Sequence, residues 1–130
     1  MDLIKSFIDY NKTTQLFGPT DRILVGVSGG ADSVVLCHIL KSLGVTFGIA
    51  HVNFSLRNSE SDGDEDFVYN LSKDLDVPYY HTRFQTKEYA EINNISIQMA
   101  ARELRYQWFD MIRKDEGWDY IATAHHADDN

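Results

Sequence analysis

The chain alternates between short apolar runs and longer segments in which apolar residues recur every three or four positions. A short apolar run bounded by turn residues is typical of a buried strand, and a period near 3.6 residues is typical of an amphipathic helix. The pattern predicts strands over residues 22–27, 45–52, 77–84 and 118–124. It predicts helices over residues 32–43, 61–75, 86–92 and 97–116.

The last of these helices has the clearest boundary signals. Ser96 precedes it as an N-cap residue, and Gly117 follows it as a residue that ends helices. Apolar residues at the helical period indicate the face that packs on the core. We expect this face to consist of Ile97, Ala101, Leu104, Trp108, Met111 and Ile112.

The alternation of strands and helices predicts the fold class. Strands joined through helices pair in parallel, and the helices cover both faces of the sheet. We therefore expect an α/β protein with three layers, a parallel sheet with helices on both faces, as one domain over residues 1–130. Ligands of such sheets bind at the carboxyl ends of the strands, near the point where the strand order reverses. Three polar segments follow strands directly and are expected to converge there: residues 28–33, 51–53 and 125–129.

The strongest chemical signal is a glycine-rich turn between the first strand and the first helix. Its residues are Ser28, Gly29, Gly30, Ala31, Asp32 and Ser33. Backbone N–H groups of such a turn point the same way as those of the first helical turn, and together with the helix dipole they favour an anion. Glycine lets the backbone approach a phosphate, and the serines can add hydroxyl donors. The spelling matches neither a Walker A loop nor a dinucleotide fingerprint. The alternative is an ordinary turn with a Ser or Asp cap.

Three carboxylates, those of Asp32, Asp128 and Asp129, are candidate Mg²⁺ ligands. Beside a bound triphosphate they would repel it unless a cation with a preference for oxygen ligands bridged the two. The alternative for Asp128 and Asp129 is that they cap the next helix. A further acidic run, residues 62–66, does not fit the glycine and glutamate positions of a calcium-binding loop and indicates the first turn of a helix instead.

A polar stripe of the last helix carries Gln98, Arg102 and Arg105, spaced as neighbours along one side. Because arginine binds phosphate through two parallel hydrogen bonds, the stripe indicates a phosphate or RNA contact. The alternative is a solvated face paired with acidic neighbours such as Glu103.

Composition limits the classes of function. The chain carries 12 Lys and Arg against 20 Asp and Glu, a net charge of −8, whereas a domain that grips RNA by itself is usually basic. The apolar runs are too short for a membrane span, and the first residues lack the pattern of an export signal. The single cysteine, Cys37, lies in an apolar helical pattern and cannot form an internal disulfide. We therefore expect a cytoplasmic protein in a reducing compartment.

The turn SGGADS resembles the pyrophosphate loop of the PP-loop ATP pyrophosphatases, whose fold is adenine nucleotide alpha hydrolase-like. Three further segments narrow the resemblance: residues 51–57 (HVNFSLR), 97–106 (IQMAARELRY) and 122–129 (ATAHHADD). In this order they look like the N-terminal domain of the tRNA(Ile)-lysidine synthetase family, over residues 21–130. Phe54 departs from that pattern, because many members carry a second histidine there, and this weakens a catalytic role at that position.

The resemblance implies an ATP-dependent ligase. ATP would adenylate the C2 carbonyl oxygen of the wobble cytidine in tRNA(Ile) with a CAU anticodon, and the amine of free lysine would displace AMP to form lysidine. By the same resemblance residues 28–33 hold the phosphates, Asp32 and Asp129 bind Mg²⁺, and the segment around His51 lies near the nucleoside. Asp32, Arg105 and Asp129 would be the catalytic residues. Arg102 and Arg105 would line the cleft toward cytidine or lysine.

Members of that family continue past the Asp-Asp pair with a helix, a strand and separate tRNA-binding domains. We therefore expect the chain to be a piece of a longer enzyme that grips tRNA mainly through C-terminal domains. Three other functions stay open. They are another PP-loop ligase such as an amidotransferase synthetase, a tRNA thiolase, and a nucleotide-binding module without chemistry. A thiolase is less favoured, because sulfur transfer normally needs a pair of cysteines and Cys37 stands alone.

Overall fold

Four strands and four helices make up the part of the chain that the computed structural model describes, residues 21–28, 30–56 and 59–123, without the side chains of residues 59–62. The strands are β1 (Arg22–Gly26), β2 (Thr46–Asn53), β3 (Tyr79–Arg83) and β4 (Tyr120–Thr123). The helices are α1 (Ala31–Ser42), α2 (Ser59–Leu75), α3 (Thr86–Asn93) and α4 (Ile97–Glu116). Each predicted element is therefore present, with its ends shifted by two residues or fewer.

All strands pair in parallel, in the order β3-β2-β1-β4. The chain fills the sheet outward from β1 to β3 and then crosses to the other side of β1 to form β4. The strand order therefore reverses between β1 and β4, where Gly26 is in register with Thr123. This is the point of the sheet at which ligands are expected to bind.

Two apolar cores lie on opposite faces of the sheet, which confirms the three-layer prediction. On one face α1 and α2 cover β1 and β2 through Leu36, Cys37, Leu40, Val68, Leu71 and Leu75. On the other face α4 covers the sheet through Phe109 and Ile112, next to Trp118. The central strand β2 is buried on both faces, as its apolar sequence predicts.

Aromatic rings on the second face lie directly on two glycines of the sheet. A Cβ at Gly26 would come within 2.7 Å of Cε2 of Phe109, and a Cβ at Gly48 within 2.7 Å of Cζ2 of Trp118. No real Cβ tolerates such distances, so these glycines are required by packing. They bring α4 close to the sheet.

The predicted apolar face of α4 is partly wrong. Leu104 and Ile112 are buried as expected, but Ile97 and Met111 are 40% and 50% exposed. Ala100 and Phe109 are buried instead. The helical period fits either a buried stripe that contains Trp108 or one that contains Phe109, because both side chains are aromatic. The gap over Gly26 decides between them, since it accepts the ring of Phe109.

Both ends of α4 are held as the sequence predicts. Ser96 Oγ accepts a hydrogen bond from Met99 N at 3.1 Å, and Gly117 adopts the left-handed conformation with a φ of 75°. The Arg22 guanidinium donates to the carbonyl of Gly117 at 3.0 Å. These contacts tie the C-terminal end of α4 to the start of β1, so α4 runs antiparallel to the strands.

Candidate active site

The glycine-rich turn lies where β1 ends and α1 begins, at the point where the strand order reverses. Ser28 and Gly30 are exposed, and Gly30 N donates a hydrogen bond to Ser28 Oγ at 3.3 Å. Gly30 is the N-cap residue of α1 and, because glycine has no side chain, it does not cap the helix as Ser96 caps α4. Gly29, which we also predict to bind phosphate, lies outside the described residues.

Packing and backbone conformation do not explain why residue 30 is a glycine. Its φ of −76° and ψ of 161° are ordinary for any residue. Among the described residues, a Cβ there would have only Ser28 Oγ within 4 Å, at 3.4 Å, which is close to an ordinary contact. The space beside Gly30 is therefore open, at a helix N-terminus that favours negative charge. A side chain at residue 30 would fill this space, and the predicted contact with phosphate stays a prediction.

Ser33 has a structural role within the same turn. It is 4% exposed, and its hydroxyl donates to the carbonyl oxygen of Gly30 at 3.0 Å. The same carbonyl accepts from Val34 N at 3.3 Å. These bonds hold the turn against the first turn of α1, while the predicted contact between Ser33 and phosphate stays a prediction.

His51 supports the turn from the neighbouring strand. Its ring is buried, 3% exposed, and its Nδ1 lies 2.7 Å from the carbonyl oxygen of Val27. A carbonyl oxygen only accepts, so Nδ1 carries the hydrogen and donates it to Val27. This bond fixes the residue that immediately precedes Ser28. The predicted proximity of the His51 segment to a nucleoside is not tested by it.

Of the three candidate metal ligands, only Asp32 lies among the described residues. Asp32 is half-buried in the first turn of α1, beside the glycine-rich turn, where the helix dipole favours a carboxylate. Asp128 and Asp129 lie outside the described residues. Within the described ranges no three His, Cys, Asp or Glu side chains form a metal-binding group. A site that uses Asp32 with the other two carboxylates stays a prediction.

Arg105 lies beyond the carboxyl end of β1. Phe109 packs on Gly26, the last residue of β1, and Arg105 is one helical turn before Phe109 on an antiparallel helix. The guanidinium groups of Arg102 and Arg105 lie 5.5 and 5.0 Å from the ring centroid of Tyr106. Two cations are thereby gathered on one aromatic ring at the site edge.

The bonding of Arg105 favours the functional interpretation of this stripe. Its Nε is buried and has no hydrogen-bond partner among the described residues. A buried donor without a partner is costly, and an oxygen from outside the described residues would satisfy it. The alternative, pairing with Glu103, is not seen in the described part of the chain, where Glu103 Oε2 accepts from the Tyr89 hydroxyl at 3.0 Å.

Sequence reasoning missed a second polar cluster, at the carboxyl ends of β2 and β3. Glu65 Oε2 accepts from Asn53 Nδ2 at 2.9 Å and from Arg83 Nε at 3.1 Å. Burial of the Glu65 carboxyl raises its pKa, but the hydrogen bonds from Asn53 and Arg83 outweigh burial and hold the pKa below its ordinary value. The run of residues 62–66 showed only that several acids lie near a helix start. Which of them turns inward depends on the packing of α2.

Comparison with known proteins gives consistent matches. A family model described as "PP-loop domain" matches residues 5–130. A curated protein of Porphyromonas gingivalis strain W83, named tRNA(Ile)-lysidine synthase, is 54% identical over 117 residues, which cover 89% of this chain and 26% of that protein. Proteins of the same name from Bacteroides thetaiotaomicron and Petrotoga mobilis are 47% and 35% identical and are covered to 29% and 42% of their lengths. The chain thus spans about a quarter of the length of the first of these relatives.

Solved structures support the fold. An NMN synthetase from Francisella tularensis superposes with a TM-score of 0.70 at 16% identity, over 96% of this chain and 54% of that one. An NH3-dependent NAD synthetase from Campylobacter jejuni superposes with a TM-score of 0.59 at 18% identity, over 86% of this chain and 52% of that one. Among the described residues, no helix combines the length and apolar character that a membrane span requires.

Proposed function

Because the chain belongs to the PP-loop domain family, we propose that it is the ATP-binding part of a tRNA(Ile)-lysidine synthetase. The proposal rests above all on the space that the described residues leave open beside Gly30, at a helix N-terminus next to the reversal of strand order. Identities of 47 to 54% with curated proteins of that name support the specific reaction. The proposed location is the cytoplasm, where tRNA, ATP and free lysine are all present.

The proposed roles begin with the phosphates. Residues 28–33 bind the triphosphate through backbone N–H groups at the start of α1, together with the hydroxyl of Ser28. Gly29 and Gly30 leave room for the phosphate oxygens, and Ser33 holds the turn in shape. His51 keeps the turn in register with β2, and the loop that follows β2 faces the nucleoside.

The proposed reaction has two steps. The C2 carbonyl oxygen of the wobble cytidine attacks the α-phosphorus of ATP, a P–O bond forms, and pyrophosphate leaves. An amine of lysine then attacks C2, the C2–O bond breaks, AMP leaves, and the amine loses a proton. Both steps depend mainly on positioning and on stabilisation of negative charge, which fixed backbone donors and cations provide.

Cationic groups are assigned to the second wall of the cleft. Arg105, whose Nε has no partner in the described part of the chain, and Arg102 lie on the ring of Tyr106 and are proposed to contact cytidine or the lysine carboxylate. Asp32 is proposed to bind Mg²⁺ together with Asp128 and Asp129. Mg²⁺ would neutralise phosphate charge and permit these carboxylates to lie near a triphosphate.

The experiment measures incorporation of labelled lysine into tRNA(Ile) with a CAU anticodon. We expect the 130-residue chain to bind ATP but to bind tRNA weakly and leave it unmodified, since its net charge of −8 repels RNA. A chimera that joins the chain to the remaining length of the Porphyromonas gingivalis relative is expected to incorporate lysine only when ATP is supplied.

Two outcomes of this experiment would contradict parts of the proposal. A chimera that binds ATP and never modifies tRNA would reduce the assignment to an unspecified PP-loop nucleotide binder. Incorporation by the 130-residue chain alone would show that the proposed division between ATP binding and tRNA grip is wrong. An Arg105→Leu variant of the chimera tests the cationic wall, because it should bind ATP normally and lose incorporation.

A further inference from the structure

Glu65 joins three elements at the carboxyl edge of the sheet. It lies on α2 with its side chain 15% exposed, and it accepts hydrogen bonds from the last residues of β2 and β3, Asn53 and Arg83. His81 Nδ1 lies 3.8 Å from its other carboxylate oxygen. None of the roles proposed above uses this carboxylate, although it lies on the same edge of the sheet as the glycine-rich turn.

The bond to Glu65 fixes the orientation of the Asn53 amide. Asn53 is 3% exposed, and its Oδ1 accepts from Ser55 N at 2.9 Å while its Nδ2 donates to Glu65. Because the two amide atoms have opposite hydrogen-bonding roles, an acceptor at Nδ2 keeps Oδ1 directed at Ser55. Without that acceptor the buried amide would lose this hydrogen bond.

The turn held in this way is strained. Ser55 has a φ of 59°, a left-handed conformation that a residue other than glycine adopts at a cost. Such a conformation persists only where the surroundings hold it, and the hydrogen bond from Ser55 N to the Asn53 side chain is one contact that does so. Glu65 therefore acts on the backbone of residues 54–56 through Asn53.

These residues lie one strand away from the phosphate turn. Ala50 of β2 is in register with Gly26, and His51 contacts Val27, so the continuation of β2 passes beside the glycine-rich turn. Phe54 and Leu56 are half-buried apolar side chains of this continuation. Apolar side chains suit the face of a base, whereas the open helix N-terminus at Gly30 suits phosphate.

We propose that Glu65 is a positioning residue for the nucleoside half of ATP, which it serves by holding the turn of residues 54–56 through Asn53. This inference rests on the proposed function, in which residues 28–33 hold the phosphates. Glu65 itself touches no ligand, and its carboxylate is kept away from phosphate by its bonds to Asn53 and Arg83.

The test separates nucleoside from phosphate binding. Dissociation constants for ATP, AMP and pyrophosphate are measured by calorimetry for the 130-residue chain and its variants. We expect Glu65→Leu to weaken the affinity for ATP and AMP by about tenfold or more. The affinity for pyrophosphate should change by about twofold at most, because only the turn of residues 54–56 loses its support. Glu65→Gln should stay near the wild type, because its amide oxygen still accepts from Asn53.

A second pair of variants guards against loss of folding. Asn53→Asp places a second carboxylate against Glu65 and should weaken the affinity for ATP and AMP as Glu65→Leu does. The double variant Asn53→Asp with Glu65→Gln restores a donor and an acceptor in exchanged positions and should recover most of the affinity. A merely structural role for Glu65 would affect pyrophosphate as much as AMP.

The outcomes distinguish this inference from the proposed function. A wild-type chain that binds neither ATP nor pyrophosphate contradicts the proposed function, and this inference with it. A second result would overturn only the role of Glu65. In that result the wild-type chain binds both ATP and pyrophosphate, and the variants lose affinity for pyrophosphate and AMP equally or lose neither. Failure of the double variant to recover AMP affinity would also overturn it.

Discussion

Replacement of Gly30 by alanine tests the phosphate position directly. The backbone of Gly30 has a φ of −76° and a ψ of 161°, which alanine adopts without strain. Among the described residues the added methyl group would meet only Ser28 Oγ, at 3.4 Å. We therefore expect Gly30→Ala to fold normally and to bind ATP poorly, because the methyl group occupies the space assigned to a phosphate oxygen.

The two effects can be compared in size. For stability, alanine is a poorer N-cap than glycine by about 0.5–1 kcal/mol, and reduced freedom of the unfolded chain offsets about 0.4–1 kcal/mol of this. The net change in unfolding free energy should therefore stay within about 1 kcal/mol. For binding, loss of one charge-assisted hydrogen bond to phosphate costs about 1.5–3 kcal/mol, which corresponds to about a 10- to 150-fold weaker affinity.

The assay combines calorimetric titration with ATP and urea unfolding of the same samples. Gly63→Ala serves as the matched control, because Gly63 lies in α2 and no described residue comes within 4 Å of an added Cβ. The control should gain up to about 1 kcal/mol of stability and bind ATP as the wild type does. Equal ATP affinity of Gly30→Ala and the wild type would refute the phosphate assignment.

Two further predictions concern stability. Gly26→Ala should lower the unfolding free energy measured with urea by about 1–3 kcal/mol, because the new Cβ would lie 2.7 Å from Cε2 of Phe109. Adding Phe109→Leu should recover part of this loss. An unchanged unfolding midpoint for Gly26→Ala would contradict the packing of Phe109 on Gly26. The pKa of Glu65 is lowered on folding, so its contribution to stability is present above its ordinary pKa of 4.5 and is lost as the pH falls through the folded value. The stability difference between wild type and Glu65→Gln should therefore be largest above pH 4.5 and shrink below it, and a difference independent of pH would argue against the charged network.

Much of the architecture could be predicted from the sequence because the relevant signals are local. Strand and helix differ in hydrophobic period, and Ser96 and Gly117 act on their immediate neighbours in the chain. The glycine-rich turn is also local, since its N–H groups come from consecutive residues at the start of one helix. Its position at the carboxyl edge of a parallel sheet followed from the alternation of strands and helices, whereas the strand order that places it at the reversal came from the structure.

Other features depended on contacts between residues far apart in the chain. Periodicity could not choose between Trp108 and Phe109, and the absence of a Cβ at Gly26 on a different element made the choice. Likewise, Glu65 is one acid in a run until the ends of β2 and β3 bring Asn53 and Arg83 to its carboxylate. Only the tertiary structure decided these points, because a buried group is defined by what packs against it, and those partners are set by the fold and not by neighbours in sequence.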